Sequence, residues 1–367
     1  MQIYFLSSWF STPDNPTAGI FFREQFSHIS QNLDWNSHLL ACEVLYPHQI
    51  RPSIFYNKNR IEDINHSYKL SLLPINTEQR RNLITFNFLE KLNSVHKEID
   101  HIICFSGLYA SKAAFEMYKK YGIKYTIVEH SSTFLQANKK IEKELEIYYK
   151  NAHVVAAVSN ALARELEFQF DIVCKTINNP VETKKTTKNC HVPGATKFIN
   201  VSNFTANKNI LEIVKAFENF VISSPDSKLD LIGDGPTRKE IKKYVNSKDL
   251  SKSVTFSGRL KHSAVLQRML QSNIYVNGSF VETFGIAPLE ALLSGLNLVT
   301  TPCGGVNDFM SDFDNAIMIS GFSQFDILEG MVKASKIDPK SSFDQLVSAR
   351  DKFSVQRYIN NIQELVM

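Results

Sequence analysis

Short apolar runs alternate with stretches of helical periodicity along nearly the whole chain. In the first half, runs at 3–6, 38–44, 69–73, 102–105, 125–128 and 154–158 predict strands, and helical patterns such as 77–96 and 111–121 fall between them. The alternation stops at 181–193, V-E-T-K-K-T-T-K-N-C-H-V-P, a polar, lysine-rich and aperiodic segment that reads as a linker. It then resumes, with predicted strands at 198–201, 229–232, 254–256, 274–276, 298–299 and 317–319. Strand–helix alternation of this kind predicts parallel sheets covered on both faces. The expected organisation is an α/β domain at 1–180, a linker at 181–193, a second α/β domain at 194–350 and a C-terminal helix within 351–367. Ligands of open α/β sheets bind beyond the carboxyl ends of the strands. No internal repeat or low-complexity tract interrupts the pattern.

Composition narrows this picture. The chain has 367 residues, comfortable for two domains, and 43% hydrophobic residues, too many for a disordered chain. No apolar run approaches the roughly 18 residues of a membrane span. The opening Ile3-Tyr4-Phe5-Leu6 lacks a basic lead-in and fits a first strand better than a signal peptide. Five scattered cysteines without a C-x-x-C pair point to reduced thiols in a cytoplasmic protein. The net charge of +4 suits anionic substrates or an anionic membrane surface, and equally suits solubility alone. No aromatic-interleaved basic stripe supports nucleic acid as a partner.

Two glutamates with seven residues between them, Glu282 and Glu290, carry the sharpest chemical signal. They frame E-T-F-G-I-A-P-L-E. The apolar pattern places Glu282 in a loop with Gly285, and Glu290 within the first turn of a helix entered through Pro288. The free N–H groups of a first turn favour an anion. A carboxylate accepts two hydroxyl donors at once. A sugar nucleotide, with vicinal hydroxyls at each end and a pyrophosphate between, matches that layout. An ordinary helix start with acidic residues set by the macrodipole matches the two glutamates equally well.

Other residues have paired readings. Lys208 follows the strand at 198–201 and opens a helical run at 209–220, where a lysine meets a phosphate or simply faces solvent. Gly19, between the first strand and first helix, either lets backbone approach a ligand or makes an ordinary turn. His130 ends the strand at 125–128 and is a ligand contact or a packed histidine. Gly233-Asp234-Gly235-Pro236 lacks the third glycine of a dinucleotide fingerprint and reads as a tight turn. Asp312-Phe313-Asp314 reads as a surface turn, and no Cys/His cluster has metal-ligand spacing, so no metal is expected.

The segment from Glu282 to Glu290, with Phe284-Gly285 and the small-residue helix Ala291 to Gly295, resembles the E-x(7)-E signature of retaining, family-four type glycosyltransferases. The likeness extends to Phe198–Phe204 with Lys208, to Leu229–Pro236, to Val254–Gly258 and to Thr301–Gly305. In the first half it rests on Ala18–Gln25, Val128-Glu129-His130 and Ala157-Val158-Ser159. The resemblance implies a GT-B fold: two Rossmann-like domains facing a central cleft, with the C-terminal helix crossing back onto the first. It implies transfer of a sugar, with retention, from a UDP- or GDP-sugar to a glycan or lipid-linked acceptor in surface polysaccharide or glycoconjugate synthesis. The nucleotide sugar is a co-substrate, and no cofactor or metal is expected.

By the same resemblance Glu282 would hold sugar hydroxyls, Glu290 ribose hydroxyls, and the backbone of Thr283, Phe284, Gly285, Ile286 and Ala287 sugar and phosphate. Lys208 and the Gly19 loop would face the phosphates, and His130 the donor sugar near its reacting carbon. The chain departs from the family at Ser202-Asn203, where the usual pattern is Gly-Arg, so Asn203 brings a hydrogen-bonding group but no cation. Peripheral contact with the inner membrane face is open on this reading. The rival readings are a glycosidase with Glu282 and Glu290 as acid and nucleophile, a non-catalytic GT-B partner subunit, and a GT-B sugar-nucleotide epimerase.

Overall fold

A computed structural model describes residues 1–8, 19–45, 64–70, 75–181, 195–337 and 343–367. The chain forms two compact units, one comprising Met1–Asn178 with Tyr358–Met367, the other Asn179–Arg357. Each is a Rossmann-like half built on a parallel sheet.

The first unit's sheet runs in the order β3-β2-β1-β4-β5-β6-β7. Its strands are β1 (Gln2–Ser7), β2 (Asn36–Leu45), β3 (Ile64–Leu70), β4 (His101–Phe105), β5 (Lys124–Glu129), β6 (Val154–Ala157) and β7 (Lys175–Thr176). Every pair is parallel; Phe5 lies opposite Leu39 on one side and Ile103 on the other. Central β4 is buried along its whole length, as a strand covered on both faces must be. Ile3, Phe5, Phe22, Phe26 and Phe105 form the core beneath the helix Ile20–Asn32. The helix Val355–Glu364 belongs to the same core through Tyr358 and Ile362. Tyr358 donates its hydroxyl to Gln25 Oε1 at 3.0 Å, and Thr126 donates to the Leu365 carbonyl at 3.2 Å. The chain thus ends in the unit where it began.

The second unit's sheet runs β10-β9-β8-β11-β12-β13. Its strands are β8 (Lys197–Val201), β9 (Lys228–Ile232), β10 (Val254–Gly258), β11 (Ile274–Asn277), β12 (Asn297–Thr300) and β13 (Ala316–Met318), again all parallel. Its core gathers Phe198, Ile213, Phe217, Leu231, Val276 and Val299. β8 occupies the inner position where the order reverses, between β9 and β11.

Differences from the sequence reading have local causes. Of the expected strand at 69–73, residues 69 and 70 belong to an edge strand, Ile64–Leu70, whose polar sequence I-N-H-S-Y-K-L hides its start from an apolar search, and 71–73 lie outside the described residues. The helix expected from 111 starts at Gly107, because the buried Glu129 carboxylate, supplied by another strand, accepts the Gly107 N–H at 2.7 Å. β7 has two residues, too few for any periodicity. Of the expected linker only Val181 is described, its N–H donating to the Phe353 carbonyl at 2.9 Å; 182–193 lie outside the described residues. Among the described residues no helix is long and apolar enough to cross a membrane.

Candidate active site

The loop after β11 carries Glu282, and a second loop, after β12, holds it in place. Glu282 N–H donates to the Cys303 carbonyl at 2.7 Å and its carbonyl accepts from Gly305 N–H at 2.8 Å, a parallel bridge between the two segments. A Cβ on Gly305 would stand 2.4 Å from the Thr283 backbone, so the two loops close only around glycine. Burial, with the Glu282 charge beside it, pushes the Cys303 thiol up and leaves it an inert packing group.

A third loop comes from β8. Asn207 accepts from Phe280 N–H through its carbonyl at 2.8 Å and from Val281 N–H through Oδ1 at 3.1 Å, and donates Nδ2 to the Val281 carbonyl at 2.9 Å. This stitching brings Lys208 to Glu282: Nζ to Oε1 is 2.6 Å, with side chains 22% and 16% exposed. Ser279 donates its hydroxyl to the same Oε1 at 2.7 Å. The other oxygen, Oε2, has no hydrogen-bond partner among the described residues. Lys208 does not open the following helix directly. It ends a short 3-10 turn, Ala206–Lys208, and Asn209, at φ 50°, starts the helix Ile210–Ser223.

The placing of Glu290 needs correction. The helix begins at Ile286, not at Pro288, because Gly285 at φ 93° turns the chain into it earlier. Glu290 is therefore in the second turn, away from the free N–H groups, which belong to Ile286 and Ala287. The Glu290 side chain is 9% exposed, and its Oε1 lies 2.6 Å from Nε2 of His262. His262 is the first residue of the helix His262–Met269, beyond the carboxyl end of β10. The sequence reading missed it, although its position past a predicted strand end was the available signal. Ser279 was missed in the same way.

The remaining residues fall as follows. The Phe284 ring packs in the core against Phe309 and Phe353, so only its backbone is available to a ligand. Thr283, Ile286 and Ala287 are half-buried. Asn203 is exposed in a loop pinned to the glycine turn, with Phe204 N–H donating to the Asp234 carbonyl at 3.0 Å and Thr237 N–H to the Phe204 carbonyl at 3.1 Å. Gly233–Gly235 is thus the tight turn expected. Asp312 is ion-paired with Lys352 at 2.7 Å. Among the described residues no group of three or more His, Cys, Asp or Glu is placed to hold a metal.

Two candidates belong to the first unit. Gly19, at φ 59°, starts the helix that carries Phe21 and Phe22. His130 is buried among Phe22, Phe105 and Phe21, with ring centroids at 4.8, 5.6 and 5.6 Å. Both its ring nitrogens lack a partner among the described residues, and burial pushes its pKa down to about 3, keeping the ring neutral. Neighbouring Glu129 accepts from Gly107 N–H at 2.7 Å, from the Tyr149 hydroxyl at 2.8 Å and from Ser131 N–H at 3.2 Å. These bonds oppose the rise that burial imposes on its carboxyl and fix the loop that bears His130.

Residues 182–342, which hold Lys208, Glu282, His262 and Glu290, match the family described as glycosyl transferases group 1. The match covers a little less than half of the chain. A 122-residue segment is 30% identical to alpha-monoglucosyldiacylglycerol synthase of Acholeplasma laidlawii, covering 33% of this chain and 31% of the relative. A 235-residue segment is 24% identical to N-acetyl-alpha-D-glucosaminyl L-malate synthase of Bacillus anthracis, covering 61% and 60%. The matches thus span less than two thirds of either relative. In fold the chain is similar to Anabaena HepE, solved with UDP and glucose, at a TM-score of 0.74 and 16% identity over 99% of this chain and 98% of that one. The architecture of the chain, two Rossmann-like halves each on a parallel sheet, is GT-B.

Proposed function

We propose that the chain is a retaining glycosyltransferase that moves a sugar from a nucleotide-sugar donor to a glycan or lipid-linked acceptor. The observation that carries this reading is the Lys208–Glu282–Ser279 cluster, built by three loops at the carboxyl ends of adjacent strands. Such a cluster presents a cation and a partly open carboxylate side by side, as a sugar phosphate requires. In this account Glu282 Oε2 accepts donor-sugar hydroxyls, and Glu290 accepts the ribose diol. Lys208, with the first-turn N–H groups of Ile286 and Ala287, faces the diphosphate.

Catalysis rests on charge that develops on the departing diphosphate, where preorganised donors and cations act. The bond from the anomeric carbon to the phosphate oxygen breaks, and the acceptor oxygen bonds to that carbon on the same face. The acceptor's proton passes to a departing phosphate oxygen. His130, kept neutral by its aromatic neighbours, offers a sugar hydroxyl one donor and one acceptor. Gly19 and Asn203 serve as backbone and amide contacts near the phosphates. In this account the diphosphate charge is met by Lys208 and the helix N–H groups, and no divalent cation is required. The glycosidase reading is disfavoured by the direct ion pair on Glu282.

The structure of HepE with UDP and glucose supports a UDP-sugar donor, with GDP-sugars as the second choice to test. The relatives' names, a monoglucosyldiacylglycerol synthase and a glucosaminyl L-malate synthase, support trials of a diacylglycerol and a hydroxy acid as acceptors. A lipid-linked acceptor would bring a cytoplasmic protein of charge +4 into peripheral contact with a membrane surface. A thermal-shift panel of UDP, GDP and their sugars tests the reading. A ligand at a hundred times its Kd stabilises the native state by about 2.7 kcal/mol. A clear shift with one nucleotide series, followed by transfer to one of these acceptors, is expected. No shift with any nucleotide would sink the proposal, and binding without turnover would favour a non-catalytic subunit.

A further inference from the structure

His262 is assigned no role by the signature residues, yet it makes the one side-chain hydrogen bond found on Glu290 among the described residues. A carboxylate has no proton to give, so the imidazole is the donor: Nε2–H points at Oε1 across 2.6 Å. The carboxylate rotates about its last torsion, a broad and soft one. A donor fixed on Oε1 removes that freedom and aims Oε2. The two helices concerned, His262–Met269 and Ile286–Leu293, follow β10 and β11, so the pair stands at the ligand-binding end of the sheet. The imidazole is 42% exposed against 9% for the carboxylate, so Glu290 is largely desolvated while His262 is not a core group.

We propose that His262 is a positioning residue for Glu290, and that through it the site favours ribonucleotide donors over their 2′-deoxy counterparts. The inference rests on the reading that Glu290 accepts ribose hydroxyls. With Oε1 committed to His262, Oε2 is the oxygen left for the diol. A 2′-deoxyribose leaves part of a desolvated carboxylate unpaired, and such a loss costs more than the hydrogen bond itself contributes. Without the imidazole the carboxylate turns freely or takes up water, and it no longer distinguishes the two sugars sharply.

The test is calorimetric titration of the whole chain with UDP, 2′-deoxy-UDP, GDP and 2′-deoxy-GDP. The variants are Glu290→Ala, His262→Phe and His262→Gln. In the parent protein the better-bound base should show a ribo preference on the order of tenfold. His262→Phe keeps the ring and loses the donor, so it should erase most of that preference. His262→Gln, with an amide N–H of similar reach, should restore much of it. A merely structural role for His262 would not be rescued by Gln, nor would it act on the ribo-to-deoxy ratio alone. An unchanged ratio in His262→Phe, while Glu290→Ala loses it, overturns the role of His262 and spares that of Glu290. An unchanged ratio in Glu290→Ala, or no nucleotide binding at all, overturns the ribose assignment and this inference with it.

Discussion

Lys208 Nζ and Glu282 Oε1 are 2.6 Å apart, although 74 positions separate the two residues in sequence. On the proposed reading the pair joins the cation that faces the diphosphate with the carboxylate that holds the sugar, and Asn203 brings no charge of its own. Lys208→Ala should therefore weaken UDP or GDP binding on the order of tenfold. Asn203→Arg should tighten it, and the lysine deletion should cost less in the arginine background, because neighbours serving one phosphate are not additive. A double-mutant cycle on nucleotide affinity measures this. Strict additivity with neither single change altering affinity would separate both residues from a phosphate site.

Gly305 is where the loop after β12 touches the loop that carries Glu282. A methyl group there meets backbone atoms 2.4 Å away, which have no side-chain rotamer to shift. Gly305→Ala should cost about 1–3 kcal/mol of stability by overpacking. It should lower turnover further by displacing Glu282. Denaturant melts and a transfer assay on the same preparation check both effects. Unchanged stability would mean that the loops separate freely.

Most strand positions were legible in the sequence, because buried parallel strands are continuous apolar runs, whereas the order of the strands was not. The start of edge strand β3, with its polar sequence, was missed. Glu282 and Glu290 were legible as a pair, but their surroundings were not. Placing Glu290 in the first turn followed from reading Pro288 as the helix entry. Gly285 overrides that by turning the chain at positive φ three residues earlier. His262 and Ser279 escaped because each acts through a partner distant or unmarked in sequence. A pattern search sees periodicity along one segment and does not see which loop a neighbouring strand delivers.

Buried histidines should make the fold sensitive to acid. His101 is held down to about 4 by burial, then by His153 and Lys124, while its Nε2 bonds Thr126 Oγ1 at 2.9 Å. The unfolded chain binds a proton near pH 6.5, whereas the native chain refuses it until about 4. The contribution of neutral His101 is complete above pH 6.5. It falls by up to about 1.4 kcal/mol per pH unit as pH drops from there towards 4. His130, down to about 3, acts with the same sign. Urea midpoints between pH 7 and pH 4 should show the fall, and His101→Gln should flatten it. An equal slope in the variant would clear His101 of the effect.

Turnover should survive chelation. Asp312 is ion-paired with Lys352, and Asp314 N–H donates to Gln345 Oε1 at 3.0 Å, which ties the D-x-D segment into its own surface. An activity assay in EDTA is expected to match the untreated enzyme. Loss of activity that manganese or magnesium restores would return D-x-D to the mechanism.

The central claim is retaining transfer from a nucleotide sugar. Real-time proton NMR of the anomeric signals, with the donor that stabilises the protein and the acceptor panel described above, tests it most directly. The account predicts that the donor's α-anomeric signal gives way to an α-linked product signal, and that Glu282→Ala abolishes the change. A β-linked product, or a donor signal that persists with every acceptor, would contradict it.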